Sequence, residues 1–102
     1  MNKNKREQIF KWLENKQFSF SLLQETHSTK HNEQFWRTEW KGDAFFSGNK
    51  SNSEGVCILV KENENYEFIK QYDILEGRIQ ALEIKINDKH IIIINVYGPK
   101  KR

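Results

Sequence analysis

The sequence predicts an α+β fold: one N-terminal helix on a mostly antiparallel sheet of about five or six strands. Three observations lead there. Residues 3–16 carry apolar side chains at helical spacing. From Phe18 onward the apolar residues fall into short runs separated by polar or glycine-containing stretches, the pattern of strands and turns. The last two runs, up to Ile86 and from Ile91, are joined only by Asn87-Asp88-Lys89 and neighbouring polar residues, which reads as an antiparallel hairpin.

In residues 3–16, Ile9 and Leu13 are four apart, and Phe10 and Trp12 widen the same side. Lys5, Arg6, Glu7, Lys11 and Glu14 take the other faces, with Asn2 as N-cap and Asn15 near the end. Phe18 to Leu23 is the first strand. Phe18, Phe20 and Leu22 alternate with Ser19 and Ser21, and Leu23 breaks the alternation, as in a strand more fully buried toward its end. His27 to Lys41 is polar and irregular, with one helical turn around Asn32 to Trp36. Trp36 and Trp40 would share a helix face, as packing anchors in preference to a platform for bases.

Ala44 to Ser47 is a short strand. Ser47 to Gly55 is a connecting loop without Walker or dinucleotide spacing, best read as a hairpin connection. Val56 to Val60 is a strand buried on both faces, and Tyr66 to Lys70 a short edge strand. After Gly77-Arg78, Leu82, Ile84 and Ile86 point one way while Ala81, Glu83 and Lys85 point the other. Four consecutive isoleucines, Ile91 to Ile94, predict a central strand covered on both faces, ending in Asn95 and Tyr97 on one face and then Gly98-Pro99. One helix cannot cover both faces of such a sheet. The doubly buried strands therefore call for a second layer, from a partner or from more of a domain.

A chain of 102 residues is one domain at most, with a modest core. Aromatic residues at 13% argue against disorder. The net charge of +3 leans weakly toward a polyanionic partner, because part of it sits in the end clusters Lys3, Lys5, Arg6 and Lys100, Lys101, Arg102. Cys57 is the single cysteine, so no intramolecular disulfide forms. It lies in an apolar run as a small core side chain. There is no secretory signal and no apolar run long enough to span a membrane. Together these point to an intracellular protein, nuclear or cytoplasmic. Repeats and Cys/His zinc spacings are absent.

The stretch of greatest chemical interest is Leu22-Leu23-Gln24-Glu25-Thr26-His27, where an apolar strand ends in a carboxylate. Taken locally, Glu25 is either a surface residue past a strand or a group held rigidly at a sheet edge for chemistry. Glu25 and His27, two apart on one strand face, also admit a joint metal site, although Mg²⁺ favours oxygen over imidazole.

Taken in order, the chain resembles the N-terminal half of the endonuclease domain of LINE-type (non-LTR) retrotransposons, in the endonuclease/exonuclease/phosphatase superfamily. The matching pieces are the basic amphipathic helix, Leu22-Leu23-Gln24-Glu25-Thr26-His27, then Trp36, Trp40 and Gly42, and Ser47-Gly48. Ser53-x-Gly55-Val56-x-Ile58-Leu59, Gly77-Arg78 and Asn95-Val96-Tyr97-Gly98-Pro99 complete the series. Each piece is weak alone, and the ordered set is more specific.

The resemblance implies a two-sheet α/β sandwich flanked by helices, and metal-assisted hydrolysis of a phosphodiester that nicks DNA. It matches Glu25 to the Mg²⁺-binding glutamate and Tyr97 to the active-site tyrosine, with Asn95 supporting. His27 belongs to the motif but not to the family's catalytic histidine. It also implies departures: residues 1–102 would be a partial domain, without the first strand and its catalytic Asn, and without the later Asp-x-Asn and Ser-Asp-His blocks. Catalytic groups that act as a unit fail together, so the chain alone is expected to be inactive. The alternatives are a non-enzymatic nucleic-acid-binding remnant using basic ends and exposed aromatics, and a decayed transposon fragment without selected function. Possible partners are DNA and a missing domain half or a second copy of the chain. No membrane is expected.

Overall fold

The computed structural model describes residues 1–48 and 54–98. Part of the expected Ser47–Gly55 connection, Pro99 and the basic tail Lys100 to Arg102 lie outside the described residues. Within them the order is α1 (Lys3–Lys16), β1 (Phe20–Gln24), α2 (Glu33–Glu39), β2 (Asp43–Ser47), β3 (Val56–Val60), β4 (Glu67–Leu75), β5 (Ile79–Ile86) and β6 (Lys89–Val96). Two three-stranded antiparallel sheets result, ordered β1-β3-β2 and β4-β5-β6. The α+β expectation holds, with a second short helix where one turn was expected.

Helix α1 starts where the Asn2 side chain accepts the Lys5 amide at 2.9 Å. It ends at Gln17, whose left-handed backbone lets its amide reach the Leu13 carbonyl. Its buried stripe is Arg6, Phe10 and Leu13, spaced four and three. Two residues depart from expectation. Arg6 belongs to the buried stripe because Glu39 meets its guanidinium with two bonds of 2.8 and 3.0 Å. Trp12 is 54% exposed, because the stripe runs along Arg6, Phe10 and Leu13 and leaves it to one side.

The first sheet is the middle layer. One face of it packs Ala44, Phe46, Cys57 and Leu59 against Phe10, Leu13, Trp36 and Trp40 of the helical layer. Its other face packs Ile58, Phe20 and Phe45 against Leu82, Ile84, Ile91 and Ile93 of the second sheet. All of Val56 to Val60 is therefore buried, as the sequence predicts. Both tryptophans are core anchors, and the Trp40 indole N–H donates to the Val60 carbonyl at 3.0 Å. Cys57 is fully buried, which pushes its thiol pKa up.

Three strands differ from expectation. Strand β1 begins at Phe20, two residues later than predicted. Phe18, ahead of the strand, is exposed, and so is Leu22, because β1 is an edge strand that packs through Phe20 and Leu23. Strand β4 is longer than predicted, running nine residues with two register shifts along an edge. The isoleucine strand β6 is not central. Its turn through Asn87 and Asp88, both at positive φ, places it beside β5. β4 holds the other side of β5, so β6 is an edge strand. Ile91 and Ile93 face the first sheet, while Ile92 and Ile94 are 57% and 55% exposed on the outer face.

Candidate functional site

Glu25 is not in β1. The strand ends at Gln24, and Glu25 and His27 both take left-handed backbone, φ 52° and 55°. The joint placement on one strand face is thus corrected: the chain turns at each of these residues. The turn is held from both sides. Thr26 donates its amide to the Gly55 carbonyl at 3.1 Å, and His27 donates to the Glu54 carbonyl. Buried Thr26 and Ser28 share a 2.8 Å bond between hydroxyls. Gly55 is required here, since its φ is +99° and a Cβ would stand 2.5 Å from the Thr26 Oγ1.

The Gly55 amide in turn donates to the Gly77 carbonyl at 2.9 Å, and the Gly77 amide to the Ser47 Oγ at 2.8 Å. Arg78, next in the chain, accepts the Tyr97 amide at 2.7 Å. These links bring the ends of β1 and β6 and the starts of β3 and β5 to one edge of the molecule. Glu25, Glu54, Arg78 and Tyr97 meet there.

Tyr97 hydrogen-bonds to the Glu25 carboxylate. That bond, then desolvation and the charges of Glu25 and Glu54, push its pKa above the ordinary tyrosine value; Arg78 opposes the shift. The phenol therefore stays neutral and is a hydrogen-bond donor at physiological pH. Arg78 Nε lies 3.5 Å from the Glu54 carboxylate, an ion pair without a well-formed hydrogen bond, and this buried Nε has no hydrogen-bond partner.

Asn95 is fully buried two residue pairs further in, opposite Gln80. Its Nδ2 lies 3.1 Å from the Leu23 carbonyl, 3.2 Å from the Cys57 carbonyl and 3.1 Å from the Gln80 Oε1. Gln80 also donates to the Phe45 carbonyl at 3.2 Å. Asn95 and Gln80 thus tie the second sheet to the first directly behind Tyr97. Gln24 adds a bond from β1 to the Val96 carbonyl.

The sequence-predicted Glu25 and Tyr97 are brought together, with Asn95 behind them in the core. Glu54 and Gln80 were not singled out from sequence, and Arg78 was noted only as part of a motif. The signals available were weak: Glu54 precedes a motif glycine, and Gln80 is one polar residue in a strand otherwise apolar at its inward positions. A Mg²⁺ ion takes six oxygen ligands in near-octahedral geometry. Among the described residues, no group of three or more His, Cys, Asp or Glu side chains comes together to hold a metal. Of the two carboxylates at this edge, Glu25 accepts from Tyr97 and Glu54 is paired with Arg78, so among the described residues these groups do not make up a Mg²⁺ centre by themselves. No helix among the described residues is long and apolar enough to cross a membrane.

No protein-family model matches the chain. Over 92 residues, 90% of its length, the chain is 33% identical to the "Transposon TX1 uncharacterized 149 kDa protein" of Xenopus laevis. The aligned stretch is 7% of that protein, so the chain spans a small part of the relative. This similarity supports a transposon-derived origin.

Proposed function

We propose that this chain is a piece of a LINE-type retrotransposon endonuclease of the endonuclease/exonuclease/phosphatase superfamily, whose reaction is metal-dependent hydrolysis of a DNA phosphodiester to leave a nick. The observation that carries the reading is the meeting of Glu25 and Tyr97, distant in sequence, in one hydrogen bond at the edge where the strand ends converge. In this reading Glu25 is the inherited Mg²⁺ ligand, Tyr97 is the neutral donor that places the scissile phosphate, and Asn95 supports Tyr97 from the core. Among the described residues this edge offers only two carboxylates, Glu25 and the Arg78-paired Glu54, too few to fix the ion, so in this reading the chain alone is inactive.

Two measurements test this. In-frame or frameshifted DNA flanking the reading frame should encode Asn-x-Arg-Gly upstream and Ser-Asp-His downstream, and the absence of both would count against the origin. The chain itself, incubated with supercoiled plasmid and Mg²⁺, should leave it closed. A Mg²⁺-dependent nick that vanishes in Glu25→Ala would overturn the claim of inactivity.

One observation favours a second reading, a nucleic-acid-binding remnant. Exposed Trp12 and Phe18 lie with ring centroids 5.9 Å apart, and the Lys16 ammonium sits 5.7 Å from the Trp12 ring. Stacked bases and a phosphate chain could use such a surface. Salt-dependent DNA binding lost in Trp12→Ala and unchanged in Glu25→Ala would favour it.

A further inference from the structure

We propose that this chain pairs with a second copy of itself along β6, about a two-fold axis at Ile92 that joins the second sheets of the two copies edge to edge. The inference is independent of the chemistry at the Glu25–Tyr97 edge.

Strand β6 offers an open, unbroken edge. Among the described residues it pairs with β5 alone. The Tyr97 amide bonds the Arg78 carbonyl, and in an antiparallel ladder bonded and unbonded residue pairs alternate. Ile91, Ile93 and Asn95 therefore turn their backbone groups to β5, while His90, Ile92, Ile94 and Val96 turn theirs outward. The Val96 carbonyl agrees with this direction, because it accepts from Gln24 of β1. Edge strands of stable monomers are blunted by charges, proline or bulges. β4, at the other edge of the sheet, has two register shifts and carries Glu67, Lys70 and Asp73. From Ile91 to Ile94, β6 has no such device, and its register on β5 is unbroken.

The outward groups select a second β6 as the occupant, and one register for it. In an antiparallel pair centred on Ile92, Ile92 meets Ile92 of the copy and His90 meets Ile94 of the copy, each pair exchanging both backbone bonds. Ile91 and Ile93 then lie opposite each other on the inner face. A shift of one residue would aim the copy at groups that β5 already holds. A shift of two either calls on the Val96 carbonyl, which Gln24 occupies, or sets Ile94 opposite the Asn87-Asp88 turn.

The rest of the flank fits the same axis. β1 is the edge of the first sheet on that side, tied to β6 by the Gln24 bond and by Asn95 on the Leu23 carbonyl, and it leaves Leu22 exposed. The two-fold brings this edge toward its copy as well. Eight residues of β6 at about 3.4 Å each, and two sheets about 10 Å apart, make a flank on the order of 500 Å² per copy with its side chains. A two-fold contact then buries about 1,000 Å², the threshold of a specific interface. The dimer is accordingly weak, in the micromolar range.

Sedimentation velocity from low micromolar to sub-millimolar protein should show monomer passing to dimer, with no larger species. Ile92→Pro is the decisive variant. The Ile92 N–H points away from β5, so proline there removes an edge donor without removing a bond of the fold. It should raise the dissociation constant by about ten-fold or more, through loss of the central pair of bonds. Ile92→Lys should also weaken the dimer, by setting like charges opposite each other. Thermal melting checks that both variants remain folded.

Cysteine cross-linking tests the register without disrupting it. Opposite Cα atoms in a bonded pair stand about 5.5 Å apart, within disulfide range. Under diamide oxidation Ile92→Cys should give a covalent dimer. Ile94→Cys alone should not, whereas Ile94→Cys mixed with His90→Cys should. Cys57 is buried and takes no part. A chain that stays monomeric throughout the series overturns the proposal. So does a dimer that a folded Ile92→Pro leaves unchanged, which would place the contact on another surface. Equal cross-linking of Ile92→Cys and Ile94→Cys, or open-ended oligomers that grow with concentration, would exclude the two-fold register. If Ile92→Pro fails to fold, the cysteine variants decide alone.

Discussion

The bond set around Asn95 makes the sharpest demand on the structure. Its amide is buried between the sheets, and its two N–H hydrogens are shared among the Leu23 carbonyl, the Cys57 carbonyl and the Gln80 Oε1. In Asn95→Ala the methyl group fills part of the space and donates nothing. A buried acceptor that loses its donor costs about 1–3 kcal/mol. The two carbonyls also belong to residues of the first sheet, where strand bonds offer partial compensation, so the expected total is about 2–4 kcal/mol. For a urea dependence of about 1–2 kcal/mol per molar, the unfolding midpoint should fall by roughly 2 M.

Asn95→Asp should be worse than Asn95→Ala at neutral pH, although it is nearly isosteric. The carboxylate would face three oxygen acceptors in a desolvated site, which raises its folded pKa above the unfolded value of about 3.9. The sign follows from linkage. Below the unfolded pKa the acid is neutral in both states and can donate a proton to one acceptor, so the penalty is small. As pH rises through the folded pKa, the full penalty develops. The Asp variant should therefore approach wild-type stability in acid relative to its deficit at pH 7. An Asn95→Ala midpoint within about 0.3 M of wild type, together with an Asp variant no less stable than the Ala variant, would refute the assignment of Asn95 as the tie between the sheets.

The remaining predictions concern the helical layer and the outer face. The bond from Arg6 holds the Glu39 carboxyl below its ordinary pKa, so its stabilisation is present above the unfolded carboxylate value and is lost as pH falls through the folded one. Thermal melts from pH 6 to 3 should show that loss in wild type and a smaller one in Glu39→Gln, and Arg6→Met should cost about 1–3 kcal/mol at pH 7 by stranding Glu39. Ile92→Lys and Ile94→Lys, on the uncovered face of β6, should change stability by less than about 0.5 kcal/mol. They should also reduce self-association seen by size-exclusion chromatography, whereas Ile84→Ala in the core should cost about 2–5 kcal/mol.

What could be read from the sequence depended on whether a residue's neighbours were implied by its own segment. The run Val56 to Val60 announces a doubly covered strand, and it is one, because a strand between two sheet neighbours and two packed layers needs apolar side chains on both faces. The run Ile91 to Ile94 carries the same signal and lies at an edge. Apolar content reports what a strand could bury, and the order β4-β5-β6 decides what it does bury. Arg6 misleads in the opposite sense. A charged residue on an amphipathic helix reads as solvent-facing unless its partner is known, and Glu39 is supplied by a different helix.

The candidate edge follows the same division. Tyr97 could be placed from its own strand, because two-residue periodicity after the hairpin turn puts it with Asn95 on the inward-facing side. Asn95 is then buried among the carbonyls it ties together, and Tyr97, two residue pairs further along, emerges at the rim. Glu25 could be located only to the end of β1. Whether it meets Tyr97 depends on two left-handed residues, neither of them glycine, and nothing in Glu-Thr-His announces a positive φ. The turn is imposed from outside by Glu54 and Gly55, whose carbonyls accept the amides of His27 and Thr26. Gly55 was visible as a motif glycine because its conformation excludes a side chain. Glu54 was not, since its contribution arises only once the Gly77-Arg78 turn is bonded to the other side of the same glycine. One glycine therefore fixes the backbone on both sides: it sets the turn that carries Glu25 and the pairing that brings Glu54 to Arg78.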